Sequence, residues 1–385
     1  MKICPICAHG RFVRFLSRPQ VPVHQHLVLA TSAEAFGIRR GNLEMVACEE
    51  CGFVFNAAFD ERLLSYGEQY DNSQSHSTVF ADYLDGIVRD LVLNRGVRDC
   101  HVVEVGCGKG EFLRRLVGFP GANLRATGFD PSYLGPCTDL DGRLSFRRSF
   151  YGPEAADVSA DVVICRHVIE HVADPVALLR SVRAAVRGAG AHVFFETPSV
   201  EWILANRVLW DFFYEHCSLF SAESFEAAFR LAGFRVSRLD RVFGDQYFFL
   251  EAHASDAVEP RYNAREIPDL ATSFADYYDR KLVEMTQRLK EASAAGPVAL
   301  WGAGAKGTAL ANLVDPDRLL ISCLVDVNPA KQGRFVPGSG HAIVGPAELG
   351  PSGIRTAILM NPNYRGEVLD LIKGAGISCS LVELE

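Results

Sequence analysis

A chain of 385 residues with 48% apolar and 22% charged side chains is long for one hydrophobic core and too apolar for extended disorder, so two or three packed domains are expected. Its 39 basic and 47 acidic residues give a formal charge of −8 with no segregated basic run, which argues against nucleic acid as a partner. No stretch approaches the roughly 20 apolar residues of a membrane span, and the opening "MKICPICAHG" lacks the apolar segment of a secretory signal; a cytoplasmic protein with no membrane partner is the expectation.

The first predicted element is a metal knuckle. Of 11 cysteines, Cys4, Cys7, Cys48 and Cys51 form two C-x-x-C pairs and the others are scattered singly. Paired thiolates at this spacing in a reducing compartment read as a tetrahedral structural zinc site, closed by four sulfurs and so without catalytic function. Residues 1–72 are read as this zinc-binding module, which folds through the metal because it is too short to build a core alone.

An amphipathic helix near 77–95 then leads into alternating short apolar strands and helices. The strands are "HVVEVG", "LRATGF", "ADVVIC" and "AHVFFE", and "PVALLRSVRAAVRG" is one of the helices between them. The alternation predicts a parallel sheet with helices on both faces. "VVEVGCGKGEF" is a strand, a glycine turn and a helix start: Gly106 and Gly108 let a ligand approach the backbone, and Glu104 can accept its hydrogen bonds. The next strand ends in "TGFDPS", placing Asp130 22 residues beyond Gly108 where a carboxylate grips ribose hydroxyls. The fourth strand ends in "VICRHVIEHVADP", which brings His167 and His171 to the same carboxyl edge. Together these suit an adenosyl ligand. "QYFFLEAH" reads as one more strand, closing a domain at 73–254, and "ASDAVEPRYNAREIP" as a linker.

From 255 to 385 a long helix (269–295) precedes "PVALWGAGAKGTALANLV", a second strand, glycine turn and helix with G-x-G-x-x-G at Gly302, Gly304 and Gly307, and Asp326 22 residues past Gly304. Taken alone this suggests a nicotinamide site, although Lys306 places a cation in the loop. The fold class is therefore α/β: a zinc-binding N-terminal module, a central Rossmann-like domain and a second, C-terminal Rossmann-like domain.

The E-x-G-x-G-x-G loop, "GFDPS" and "IEHVADP" resemble the class I methyltransferases that use S-adenosylmethionine. The order of the three parts resembles the sugar C-methyltransferases of deoxysugar pathways, which methylate a carbon next to a ketone on a nucleotide-linked sugar. The resemblance implies that Glu104, Gly106, Gly108 and Asp130 bind the cofactor, with Phe150 near its adenine and His167 at the same edge. It implies a nucleotide-sugar substrate, a C-terminal domain that helps hold it, and a catalytic Glu215–His216 pair in "FFYEHCSLF". A carbon-bound proton needs a base shielded from water; His216 is the candidate base, Glu215 its orienting neighbour, and His171 a candidate to stabilise the enolate oxygen. Where the family has Y-x-Y-H-S-S, this chain reads "YDNSQSHS", so Asn72 stands in place of a catalytic tyrosine and Tyr70 lies two residues earlier. Asn can donate to an oxyanion but cannot relay a proton. Transfer to oxygen or nitrogen, and a nicotinamide-dependent oxidoreductase acting through the C-terminal domain, stay open as alternatives, as does a purely structural second domain. His24 and His26 in "PVHQHLVL" are within the range of residues that could reach the substrate, although isolated histidines are more often surface or structural, and the oligomeric state is not indicated.

Overall fold

The computed structural model describes residues 2–67, 69–186, 188, 191–255 and 259–384; residues 256–258 of the expected linker and Arg187 of the expected helix lie outside the described residues. The N-terminal part is a small antiparallel sheet. Strand β1 (Phe12–Pro22) pairs with β2 (Arg40–Cys48) across the short helix α1 (Ser32–Phe36), and β2 pairs with β3 (Val54–Asn56). Helix α1 starts at a capping box in which Thr31 accepts from the Glu34 N–H and Glu34 reaches back to the Thr31 N–H. Both cysteine pairs sit at the end of this sheet that continues into the central core, where Cys4, Cys48 and Cys51 pack with Phe53 and Phe220.

Helix α2 (Thr78–Leu93) opens with Ser77 as its cap and buries Phe80, Leu84, Ile87, Val88 and Leu91, the spacing of one helical face. The central domain follows with β4 (His101–Val105), α3 (Glu111–Val117), β5 (Arg125–Phe129), β6 (Thr138–Asp139), β7 (Leu144–Arg147), β8 (Val162–Arg166), α4 (Pro175–Ala185) and β9 (His192–Pro198). After α5 (Val200–Ala205), β10 (Ser218–Leu219) and α6 (Ala222–Leu231), the chain returns as β11 (Phe234–Val242) and β12 (Tyr247–Ala254). The described sheet has the order β11-β12-β9-β8-β4-β5-β7-β6. Strands β7, β5, β4, β8 and β9 are parallel, whereas β12 runs antiparallel to both β9 and β11, and β6 antiparallel to β7. This is the class I methyltransferase α/β fold with a mixed sheet. The expected parallel sheet is corrected here: β12 follows β11 through a short turn and so runs against both its neighbours, and the edge strand "FRVSRLDRV" has one buried residue and four exposed ones, without the apolar run that marks buried strands.

Helix α7 (Ile267–Ala295) leads into β13 (Val298–Trp301), α8 (Ala305–Val314), β14 (Cys323–Val325), β15 (Ile343–Val344), β16 (Thr356–Leu359), α9 (Arg365–Gly374) and β17 (Ser380–Val382). Their sheet is parallel throughout, in the order β15-β14-β13-β16-β17. Two features tie the parts together. Strand β10, from the "EHCSLF" segment of the central domain, adds to the N-terminal sheet beside β3. One apolar core runs through Phe15, Leu43, Phe212, Phe274, Leu300 and Leu310, and so through all three parts.

Candidate active site

The first glycine turn leaves β4 at Val105 and enters α3 at Glu111. Gly106, Gly108 and Gly110 have φ of +72°, +54° and +78°, and a Cβ on Gly106 or Gly110 would lie 2.1 Å from Val168 or 2.5 Å from Phe146; the turn exists only with glycine at these places. Asp130, at the end of β5, accepts hydrogen bonds from the Gly108 N–H (2.8 Å) and from the Ser132 N–H and hydroxyl, which brings the carboxylate against the loop. Glu104 is buried at 2% exposure, and its Oε2 has no hydrogen-bond partner. Burial pushes its carboxyl up to about 8, with Arg166 opposing and Asp130 reinforcing the shift. A buried acceptor without a donor, next to a backbone cradle and a second carboxylate, fits a ligand that brings hydroxyl and amino donors, as S-adenosylmethionine does. Phe150 lies at the exposed rim, its ring 6.4 Å from that of Tyr66.

At the end of β8, His167 is held at φ +53°, its ring nitrogens 3.4 Å from Glu170 and 3.4 Å from Glu196. Burial alone would lower its pKa, but Glu196 and Glu170 raise it to about 9. Glu196 is in turn bonded by Arg166 at 2.6 Å and by the Tyr83 hydroxyl. His167 is thus a cation locked in a buried charge network, facing the cavity beside the Tyr247 ring.

The "FFYEH" segment corrects one expectation. Glu215 does not orient His216. It is fully buried and turns the other way: Oε1 lies 3.1 Å from His24 Nδ1, and Oε2 accepts the Gln25 N–H at 2.8 Å. The Ser65 N–H donates to His24 Nε2, which leaves the proton on Nδ1 to donate to Glu215. Burial raises the Glu215 carboxyl, yet His24, His171 and His26 together hold it below its ordinary value. His216 instead packs on Phe213, with ring centroids 4.0 Å apart, and meets His171 edge to face at 4.8 Å. Burial and the positive potential of His171, His167, His26 and Lys306 lower its pKa well below the usual imidazole range, so it is neutral near pH 7. His171 Nδ1 lies 3.3 Å from the Tyr66 hydroxyl.

Tyr70 is buried edge-on between His24, His26 and Tyr66. Asn72 lines the same cavity as His171 and His216 and stands 4.0 Å from where a Cβ of Gly108 would be, so it borders the glycine loop. His26 is half-buried in the cavity wall, its buried Nδ1 without a hydrogen-bond partner, and desolvation followed by Lys331 lowers its pKa to about 4. Sequence reasoning passes over Tyr66 and Glu170 as parts of this constellation and singles out His26 only as a histidine that could reach the substrate. Glu170 carried a signal as the neighbour of His171 in "IEHV"; His26 reaches the cavity wall beside the long-range pairing of Leu27 with Tyr70, and Tyr66 stands behind His171.

The opposite wall comes from the C-terminal domain. Gly302 has φ +115°, and a Cβ on Gly307 would lie 1.9 Å from the Gly302 carbonyl oxygen. Asp326 accepts the N–H groups of Ala303 (3.0 Å) and Asn328 (2.8 Å) and lies 3.7 Å from the Lys331 ammonium. Lys306 reaches out of its loop to Asp211 at 2.8 Å and to Gln246, both in the central domain. The cavity between the walls is lined by His171, His216 and Tyr247 on one side and by Gly302, Lys306 and Lys331 on the other.

The four N-terminal sulfurs lie within 4.8 Å of one another, with Cys4–Cys51 at 3.6 Å and Cys7–Cys48 at 3.5 Å. Tetrahedral zinc with bonds of about 2.3 Å needs sulfurs about 3.8 Å apart, so the residues fit that ion.

Residues 76–239 match the family described as a methyltransferase domain, and residues 259–375 match the C-methyltransferase C-terminal domain. The chain is 26% identical to the C-methyltransferase NovU of Streptomyces niveus over 95% of this chain and 91% of that protein. It is 34% identical to a ubiquinone biosynthesis O-methyltransferase of Vibrio campbellii over 108 residues, 26% of this chain and 45% of the relative. Among solved structures, magnesium protoporphyrin IX methyltransferase from Synechocystis PCC 6803 aligns at 16% identity and a TM-score of 0.37, over 49% of this chain and 89% of the other. No helix among the described residues is long and apolar enough to cross a membrane. The protein is an S-adenosylmethionine-dependent methyltransferase whose chain carries a match to a methyltransferase domain followed by a match to the C-methyltransferase C-terminal domain.

Proposed function

We propose that the protein methylates a carbon next to a ketone on a nucleotide-activated sugar, with His216 as the base. The observation that carries this reading is a neutral His216 imidazole facing a cavity whose near side borders the glycine loop and whose far side is the second Rossmann-like domain. Glu104, Gly106, Gly108 and Asp130, with Phe150 at the rim, would hold S-adenosylmethionine, which when bound would supply the electrophilic methyl group. His216 takes the carbon-bound proton, and the electron pair moves onto the ketone oxygen as an enolate. That oxygen faces His171, backed by Tyr66, while Asn72 offers an amide donor and Tyr70 keeps the wall closed. The enolate carbon then takes the methyl group, and S-adenosylhomocysteine leaves. His167, cationic and buried, keeps the local potential positive, which favours both the neutral base and the developing oxyanion. The nucleotide end of the sugar would lie on the turn at Gly302 and Gly304, near Lys331. In this reading residues 1–72, stapled by one zinc at Cys4, Cys7, Cys48 and Cys51, residues 73–254 and residues 255–385 work as one cytoplasmic enzyme.

The test uses purified enzyme, labelled S-adenosylmethionine and nucleoside-diphosphate keto sugars in deuterated water. Wild-type protein should exchange deuterium into the carbon next to the ketone and transfer the label to it. His216→Ala should bind S-adenosylhomocysteine as tightly as wild type, lose exchange, and lose roughly 10²- to 10⁴-fold in transfer rate. Methyl transfer to oxygen or nitrogen with no exchange at carbon would replace C-methylation with the alternative chemistry.

A further inference from the structure

The active site occupies the carboxyl edge of the central sheet; the opposite, amino edge holds a cluster that no step above uses. His192 opens β9, and the antiparallel register sets it directly across from His253 on β12. Glu251 precedes His253 by two residues, so it projects from the same face. The imidazole centroids are 4.3 Å apart with the ring planes at 74°. His192 Nδ1 lies 3.4 Å and His253 Nε2 3.8 Å from one and the same oxygen, Glu251 Oε1. One donor atom from each residue falls within 4.8 Å of the other two. His192 Nδ1 is buried and has no hydrogen-bond partner. The second carboxylate oxygen, Oε2, is bonded by Arg95, which is itself shared with Asp90 at 3.0 Å and Asp240 at 3.7 Å. Arg95 therefore fixes the carboxylate and leaves Oε1 turned toward both rings.

We propose that His192, Glu251 and His253 bind a divalent cation of the zinc class across the β9–β12 pair. Two imidazoles and one carboxylate are the donor set that such borderline ions prefer over magnesium or calcium. Bonds of about 2.0–2.2 Å place neighbouring donors of a tetrahedral ion about 3.3–3.6 Å apart, so small ring rotations bring all three onto one ion. The fourth position faces solvent, because the His192 and His253 side chains are 32% and 22% exposed. Arg95 fills the outer role of orienting a ligand. The ion would clamp the reversed strand β12 to β9, on the far side of the sheet from the chemistry.

The test uses the full-length protein with its cysteine site loaded, titrated with Ni²⁺ and followed by calorimetry, thermal unfolding, and mass-spectrometric mapping of histidine modification by diethyl pyrocarbonate. The expected result is about one Ni²⁺ per chain beyond the cysteine-bound zinc, an unfolding temperature that rises until that stoichiometry, and protection of His192 and His253 alone among the histidines. His192→Ala and His253→Ala should each weaken Ni²⁺ binding by about tenfold or more, with S-adenosylhomocysteine affinity unchanged. Ni²⁺ binding that is unaffected by both variants, protection of other histidines only, or no saturable binding would overturn the proposal. Loss of binding in His216→Ala alone would overturn it too, and would place the ion at Glu170, His171 and His216. Protection mapping needs no variant, so a failure of either variant to fold leaves the proposal open to refutation.

Discussion

At the scale of single residues, Glu104 is a buried polar group held against stability. Its carboxyl is buried without a donor and titrates near 8 in the ligand-free protein, against 4.5 for the free group. The native state therefore holds a proton that the unfolded state releases between those values, and stability falls as pH rises from about 4.5 to 8. Glu104→Gln removes this titration. Chemical denaturation across that range should show a flatter pH dependence for the variant, while its affinity for S-adenosylhomocysteine drops by roughly ten- to hundredfold, the effect of losing a charge-assisted hydrogen bond. An unchanged slope would mean that Glu104 is solvated or paired in solution.

At the scale of an element, the two glycine turns look alike in sequence but differ in what each glycine does. In G-x-G-x-x-G of the C-terminal domain, Gly307 lets helix α8 sit on strand β13, because a Cβ there would meet the Gly302 carbonyl at 1.9 Å, whereas a Cβ on Gly304 would meet only His26, at 3.9 Å. Gly304 also has an ordinary φ of −88°. Gly307→Ala should therefore destabilise the protein by about 2–4 kcal/mol, as a backbone clash that only helix displacement relieves, and Gly304→Ala by less than about 0.5 kcal/mol. Parallel denaturant titrations of the two variants decide this; equal effects would contradict the packing argument. The spacing alone made the turn legible, but not which glycine is structural and which leaves room at the cavity.

At the scale of the whole molecule, the three parts are not independent. Helix α7 follows the linker, yet Phe274 packs on Phe15 of β1 and on Phe212 of the central domain, with ring centroids 5.9 and 5.2 Å apart. Glu367 of α9 accepts from the Ser77 and Thr78 hydroxyls and from the Thr78 N–H at the start of α2, and Gln246 pairs with Asn361. A chain cut at 254 would lose α7 and bare that core, so it should aggregate or bind a hydrophobic dye. A chain cut at 296 keeps α7 on Phe15 and Phe212 and bares only the side of that core that Leu300 and Leu310 cover, so it should bind less dye than the chain cut at 254 and still bind S-adenosylhomocysteine, as calorimetry would show. Equal behaviour of the two truncations would mean that α7 contributes nothing to the N-terminal core.

The sequence by itself determined the features that rest on local pattern. These are the two cysteine knuckles, the strand–glycine–helix starts at Gly106 and Gly302, the carboxylates at Asp130 and Asp326, and the buried strands from "HVVEVG" to "AHVFFE". Each depends on a residue type at a spacing that the backbone converts directly into geometry. Tertiary structure alone decided the direction of β12: "YFFLEAHA" has the apolar pattern of a buried strand whichever way it runs, and it is antiparallel to β9 because a short turn returns it from the edge strand "FRVSRLDRV". It also decided the partner of Glu215. Residues 214 and 215 form a turn in which the His216 N–H bonds the Phe213 carbonyl, and the carboxylate met His24, 191 residues away, while the imidazole met His171. The cavity has the same origin: it exists only where two Rossmann-like domains and a loop of the N-terminal part close on one another, and no local spacing encodes that meeting.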